Sequence, residues 1–103
     1  MSEPLLESFE KQPAENFPFA VEFGGRMPSG LTLVSCALSA INTATALTDN
    51  TVLASTTGTI VGTNAVARVK AGSNGSTYKI TYLVTLSDDS VLEEDVLMDV
   101  KER

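Results

Sequence analysis

The sequence predicts an all-β sandwich, and three observations carry that prediction. Thr, Val, Ala and Ser are abundant while Trp and His are absent, a composition suited to strands. Tyr78, Ile80, Tyr82, Val84 and Leu86 alternate with Lys79, Thr81 and Thr85, the two-residue period of a strand with one buried face. That strand follows Ala71-Gly72-Ser73-Asn74-Gly75-Ser76-Thr77, a loop with two glycines. A tyrosine at the head of a long strand, just after a Gly-rich corner, marks the turn between sheets in immunoglobulin-like sandwiches. Its ring lies on the core and its hydroxyl bonds back to the loop. Tyr78, with Gly72 and Gly75 behind it, is therefore read as a determinant of the fold and not as a ligand contact. The expected architecture is an immunoglobulin-like β-sandwich of about seven strands over residues 17–103, behind an extended N-terminal arm of residues 1–16.

The arm carries Pro4 and Pro13, several glutamates, and Leu5, Leu6 and Phe9 as its apolar anchors. So few anchors predict a mobile segment that serves assembly and not folding. Phe17, Phe19, Val21 and Phe23 alternate as a strand with an aromatic face. Pro18 has no amide proton, so this strand lies at an edge or a strand start. Gly24-Gly25 ends it, and Pro28-Ser29-Gly30 turns the chain.

Leu31 to Asn42 reads as the second strand, with Val34, Cys36, Leu38 and Ala40 inward. Residues 43–63 hold two short strands, near 51–55 and 57–62. Ala65 to Ala71 is a fifth strand, with Ala67 and Val69 inward. The tyrosine strand and Ser90 to Lys101 should form a hairpin around the loop Asp88-Asp89-Ser90. Matching faces then sets Leu92, Val96, Met98 and Val100 opposite Leu86, Tyr82, Ile80 and Tyr78. The same register puts Glu94 opposite Val84 and makes Leu83 and Leu97 diagonal neighbours on the outer face.

Composition excludes several function classes. At 103 residues there is room for one domain. Without histidine there is no Ser-His-Asp or Cys-His arrangement and no imidazole zinc site. The single cysteine, Cys36, lies in an apolar run and is read as a buried, inert thiol. The loop at Gly72 to Gly75 precedes a strand and lacks a P-loop lysine, so it is not a phosphate cradle. Asn74-Gly75-Ser76 is read as a turn and not as a glycosylation site. No catalytic residue, metal, cofactor or small-molecule substrate is expected.

The net charge is -6, which disfavours nucleic acid as a direct partner. Seven of the thirteen acidic side chains lie between Asp88 and Glu102. They read as a solvated strand face, or alternatively as a docking surface for a basic partner. Adjacent strand carboxylates face opposite ways, which opposes a calcium site. No apolar run reaches membrane-span length, and Met1-Ser2-Glu3-Pro4 lacks the basic start of a signal peptide. No membrane contact is expected, and synthesis is expected in a reducing cytoplasm.

The order of elements resembles the small fiber-tail adaptor proteins of tailed bacteriophages and prophages. Glu10-Lys11-Gln12-Pro13-Ala14-Glu15 is similar to their Lys-Asp-Pro-like arm, and Phe17 to Phe23 to their aromatic strand. Ser29 to Ser35 resembles the following turn and strand, and Ala71 to Tyr78 their Gly-Gly-x-x-Gly-x-x-Tyr corner. Gln12 stands in place of the usual Asp, Phe23 in place of Trp, and Ala71 in place of the first corner glycine.

The resemblance implies a non-enzymatic virion component, present in several copies and joining tail or connector to fibers. Docking is then expected through three surfaces. Leu5, Leu6, Phe9 and Pro13 of the arm would lie in a neighbour's groove. The Phe17 to Phe23 strand would offer an edge. Leu83 and Leu97, with nearby acids, would meet a basic-rimmed partner. Two other readings are a capsid decoration domain and a carbohydrate- or cell-surface-binding immunoglobulin-like module. Inward aromatics and the lack of Trp weigh against the last.

Overall fold

A computed structural model describes residues 7–102. Eight strands run in chain order: β1 (Glu7–Lys11), β2 (Phe17–Glu22), β3 (Leu33–Asn42), β4 (Leu47–Thr48), β5 (Thr59–Val61), β6 (Asn64–Val69), β7 (Thr77–Leu86) and β8 (Val91–Val100). Two 3-10 turns, Gly24–Arg26 and Asn50–Val52, interrupt them. The strands form an all-β sandwich. The large sheet has the order β1-β8-β7-β3-β4 and the small sheet β2-β6-β5. If β1 to β8 are lettered A, B, C, C′, D, E, F and G, the sheets read A-G-F-C-C′ and B-E-D. The first strand thus lies beside the last, at one edge of the large sheet.

The alternation in β7 holds, and its inner side chains join Val21, Ala65, Ala67 and Val69 of the small sheet, and Phe23 just after β2, in one core. The small Ala65 and Ala67 share this core with the large Tyr78 and Tyr82 rings. The Tyr82 hydroxyl crosses the sandwich and donates to the Phe19 carbonyl at 2.9 Å. Pro18 lies on β2, an edge strand, where its missing N–H costs no ladder bond. The two sheets are joined on their far side by residues 52–58. Leu53 bridges Val69 of β6, and Thr57 bridges Ala37 of β3.

Four expectations are corrected. The arm does not run free to residue 16. Glu7–Lys11 is β1, paired in parallel with β8 from Glu7↔Val96 to Lys11↔Val100. Phe9 stacks on Phe19 at 4.0 Å between centroids, closing the side of the sandwich. β1 thus covers the edge of the buried Val96, Met98 and Val100, and is part of the folded sheet.

The hairpin register is offset by two residues: Tyr82 faces Glu94 and Val84 faces Leu92. The loop is Ser87-Asp88-Asp89, because Asp89 takes a left-handed φ of 71° and the Asp88 carboxylate accepts from the Ser90 amide at 2.9 Å. A shift of two preserves the faces, since the side-chain period is two. Glu94 is accordingly on the inner face, where Arg26 meets it at 2.9 Å at the margin of the sandwich.

Val34 is 60% exposed and not inward. A β-bulge between Leu33 and Ser35 switches the phase, so Leu33 fills the core and Val34 is left outside. The strand expected near 51–55 is largely a 3-10 turn. Asp49 caps it through the Thr51 amide, and the Asn50 side chain accepts from the Ala40 amide at 2.9 Å. Eight strands, one of only two residues, agree with the expected count of about seven.

Candidate docking surfaces

No cavity opens among the described residues, and no group of His, Cys, Asp or Glu among them is arranged to hold a metal ion. Cys36 is buried, and burial pushes its thiol above the usual range. What this chain offers a partner is therefore surface. Three regions bear on it.

At the corner end of the large sheet, the Tyr78 ring is buried and its hydroxyl accepts from the Ser73 amide at 3.1 Å. Gly72 has φ +95°, and a Cβ there would lie 2.8 Å from Val100 Cγ2. Gly75 has φ +86° in open space, and its amide donates to the Val100 carbonyl at 2.8 Å. The corner is thereby stitched to the end of β8.

Lys11 completes this corner. Its position on β1 turns it inward beside Val100, and it is 1% exposed. The ammonium donates to the carbonyls of Gln12 (2.7 Å), Pro13 (3.2 Å) and Ala71. Desolvation lowers its pKa, and Glu15 opposes that shift. A buried cation is tolerable only when its donors are satisfied, and three carbonyls satisfy all three. One side chain so ties the N-terminal strand to the corner loop. Ala71 holds a left-handed φ of 52°, the conformation expected of the glycine it replaces.

Sequence reasoning missed Lys11. The signal was present: it continues the inward phase of Phe9 two residues on.

Of the residues expected to bind partners, Leu5 and Leu6 lie outside the described residues. Phe9 is engaged within the domain, packing on Phe17 and Phe19. Pro13 sits in the turn after β1, its carbonyl on Lys11. Leu83 and Leu97 share the outer face of the large sheet but do not meet. Leu83 faces Glu93 and Leu97 faces Lys79, four residues or about 13 Å apart along β8.

Leu83 instead shares the hairpin end with Val34, expected inward from the sequence, and with Val91, which the sequence did not single out. Val91 pairs with Thr85, which pairs in turn with Ser35 beside the bulge. The sequence signal for Val34 was a change of phase. Leu31 and Leu33 take one parity, and Cys36, Leu38 and Ala40 the other. A two-residue period can switch parity in that way only across an extra residue.

Comparison with known proteins adds one finding. No curated protein and no solved structure matches the chain. A family profile described as podophage GP4 fiber-tail adaptor protein gp77 matches residues 11–99, from the buried lysine at the end of β1 nearly to the end of β8. This span takes in the sandwich apart from most of β1 and the last residue of β8, so the chain belongs to the podophage fiber-tail adaptor family.

Proposed function

We propose that this chain is a non-enzymatic adaptor of a podophage particle, holding tail or connector to fibers by protein–protein contact alone. Membership of the fiber-tail adaptor family carries this reading. The surface agrees with it. All four phenylalanines and both tyrosines are buried or pack on the core, so no exposed ring offers a sugar a stacking platform.

The segment ahead of β1 is the first contact, with Leu5 and Leu6 reaching a neighbour from a base that Lys11 holds fixed. The free edges of the two sheets, at β1 and β2, are the second, suited to strand addition. The neighbours are other virion proteins, tail or connector on one side and fiber on the other. Neither nucleic acid nor membrane takes part. The protein is made in the host cytoplasm and functions in the virion in several copies.

Particles produced without this chain and incubated with purified protein provide the test. The protein should bind them and restore fiber attachment. Deleting residues 2–6, which leaves β1 whole, should keep the melting temperature and reduce binding. Particles that carry a full set of fibers without the chain would refute the adaptor role.

A further inference from the structure

Five large apolar side chains of the described residues are markedly exposed: Val34, Leu47, Val61, Leu83 and Val91. Three of them gather at one place. Val34 is 60%, Leu83 39% and Val91 55% exposed, and all three lie at the hairpin end of the large sheet's outer face. Ala37, paired with Leu83, extends the same apolar ground. Single exposed apolars are ordinary, whereas a contiguous group within a polar rim marks an interaction surface.

The rim on this face is mainly acidic; the nearby cation, Arg26, is held at the free edge of β8 by the Glu93 carbonyl and the Glu94 carboxylate. Asp88 and Asp89 stand in the hairpin loop, Glu93 faces Leu83, and Asp95 lies two residues further along β8. The nearest cation on β7 and β8 of this face, Lys79, is four residues from Leu83, about 13 Å. The bulge is what presents Val34. Without it Val34 would take the inward phase and the group would lose its most exposed member. Bulges are used to re-aim side chains at sheet margins.

We propose that this patch, centred on Val34, Leu83 and Val91 within the rim of Asp88, Asp89, Glu93 and Asp95, docks a neighbouring virion protein. Its counterpart is an apolar surface ringed by Lys and Arg. The inference rests on the adaptor reading and deepens it, because it names the face and the chemistry of the partner. The apolar centre supplies affinity, and the charged rim sets the orientation and the rate of encounter.

The experiment again uses particles lacking this chain, with bound protein quantified by mass spectrometry. Wild-type protein should bind less as salt is raised, since rim charges are screened. Leu83→Lys and Val91→Lys, each with a wild-type melting temperature, should bind at least about tenfold more weakly, a loss of about 1.4 kcal/mol. Val61→Lys, on the small sheet, should bind as wild type. Patch variants that bind normally while the wild type also binds would overturn the patch and leave the adaptor reading standing. Equal loss in Val61→Lys would overturn it too. A wild-type protein that does not bind the particles would refute the adaptor reading itself, and the patch with it. If sedimentation of the isolated protein shows a dimer that Leu83→Lys abolishes, the occupant is a second copy and the proposal fails.

Discussion

At the corner end of the large sheet, Tyr78, Lys11 and Gly72 are shut away from water; at the hairpin end of the same strands, Val34, Leu83 and Val91 are left in it. Each buried polar atom at the corner has a named partner: Ser73 for the phenol, three carbonyls for the ammonium. At the hairpin end the loop carries carboxylates, and the apolar groups of the outer face meet solvent. The difference separates two tasks that share one pair of strands. The corner fixes the fold, where an unsatisfied group would cost most. At the hairpin end, Leu33 and Leu86 hold the core while the outward Val34, Leu83 and Val91 carry little stability, which leaves them available for the proposed docking.

The largest test of this contrast is removal of β1. Deleting residues 2–12 should cost on the order of 5 kcal/mol, close to the whole stability of a small domain, because the Phe9 stack and the Lys11 bonds go together. Denaturant titration would show it, and a deletion within about 1 kcal/mol of wild type would return these residues to the status of a detachable arm.

Tyr78→Ala should cost about 3–5 kcal/mol and Tyr78→Phe about 1–2 kcal/mol, the ring and the hydroxyl being separable contributions. An unchanged melting temperature in Tyr78→Ala would break the contrast at its centre.

Lys11→Met keeps the length of the side chain and strands three carbonyls without their donor. It should lose about 2–3 kcal/mol by the same denaturant assay. Equality with wild type would mean that water replaces the ammonium without cost.

The two corner glycines sharpen the comparison further. Gly72→Ala meets both a left-handed backbone and Val100, and should lose about 2–3 kcal/mol, whereas Gly75→Ala meets the backbone alone and should lose about 1 kcal/mol.

Tyr82 lies between the two ends, and its effect depends on pH. Desolvation raises its phenol well above the ordinary value of 10.0, with Cys36 and Glu7 adding to the shift. A folded-state pKa above the unfolded one means that the folded protein holds this proton more tightly. The associated stability is complete below about pH 10 and is lost as the pH rises through the folded value. Unfolding titrations across the alkaline range should show this slope, and Tyr82→Phe should flatten it. At the hairpin end, by contrast, Val34→Thr and Leu83→Thr should shift stability by no more than about 0.5 kcal/mol, as expected for exposed sites.

Much of the fold was legible because it depends on local period. The inward sets of β7, β6 and β2 follow from alternation alone, and Pro18 marked its edge. The Gly-rich loop before Tyr78 announced the corner, because a left-handed backbone calls for glycine. The hairpin faces were legible for the same reason, but the register was not. A shift of two leaves the faces unchanged, and the choice lay in the loop's own hydrogen bonds. The candidate surface was half legible. Leu83 was named, but its neighbours depend on that register and on a bulge, so Leu97 was grouped with it in place of Val34 and Val91.

By itself the sequence determined the class of fold, the core of each long strand, the corner tyrosine and the absence of histidine chemistry. These rest on side-chain type and on periodicity along the chain. Only the tertiary structure decided that residues 7–11 join the sheet, that Lys11 is buried, and which exposed apolars stand together. Each of these depends on a partner far away in sequence: Val96 to Val100 for β1, Ala71 for the ammonium, Thr85 for the bulge. Such pairings are selected by burial and by hydrogen-bond satisfaction across the whole sandwich, which no local pattern encodes.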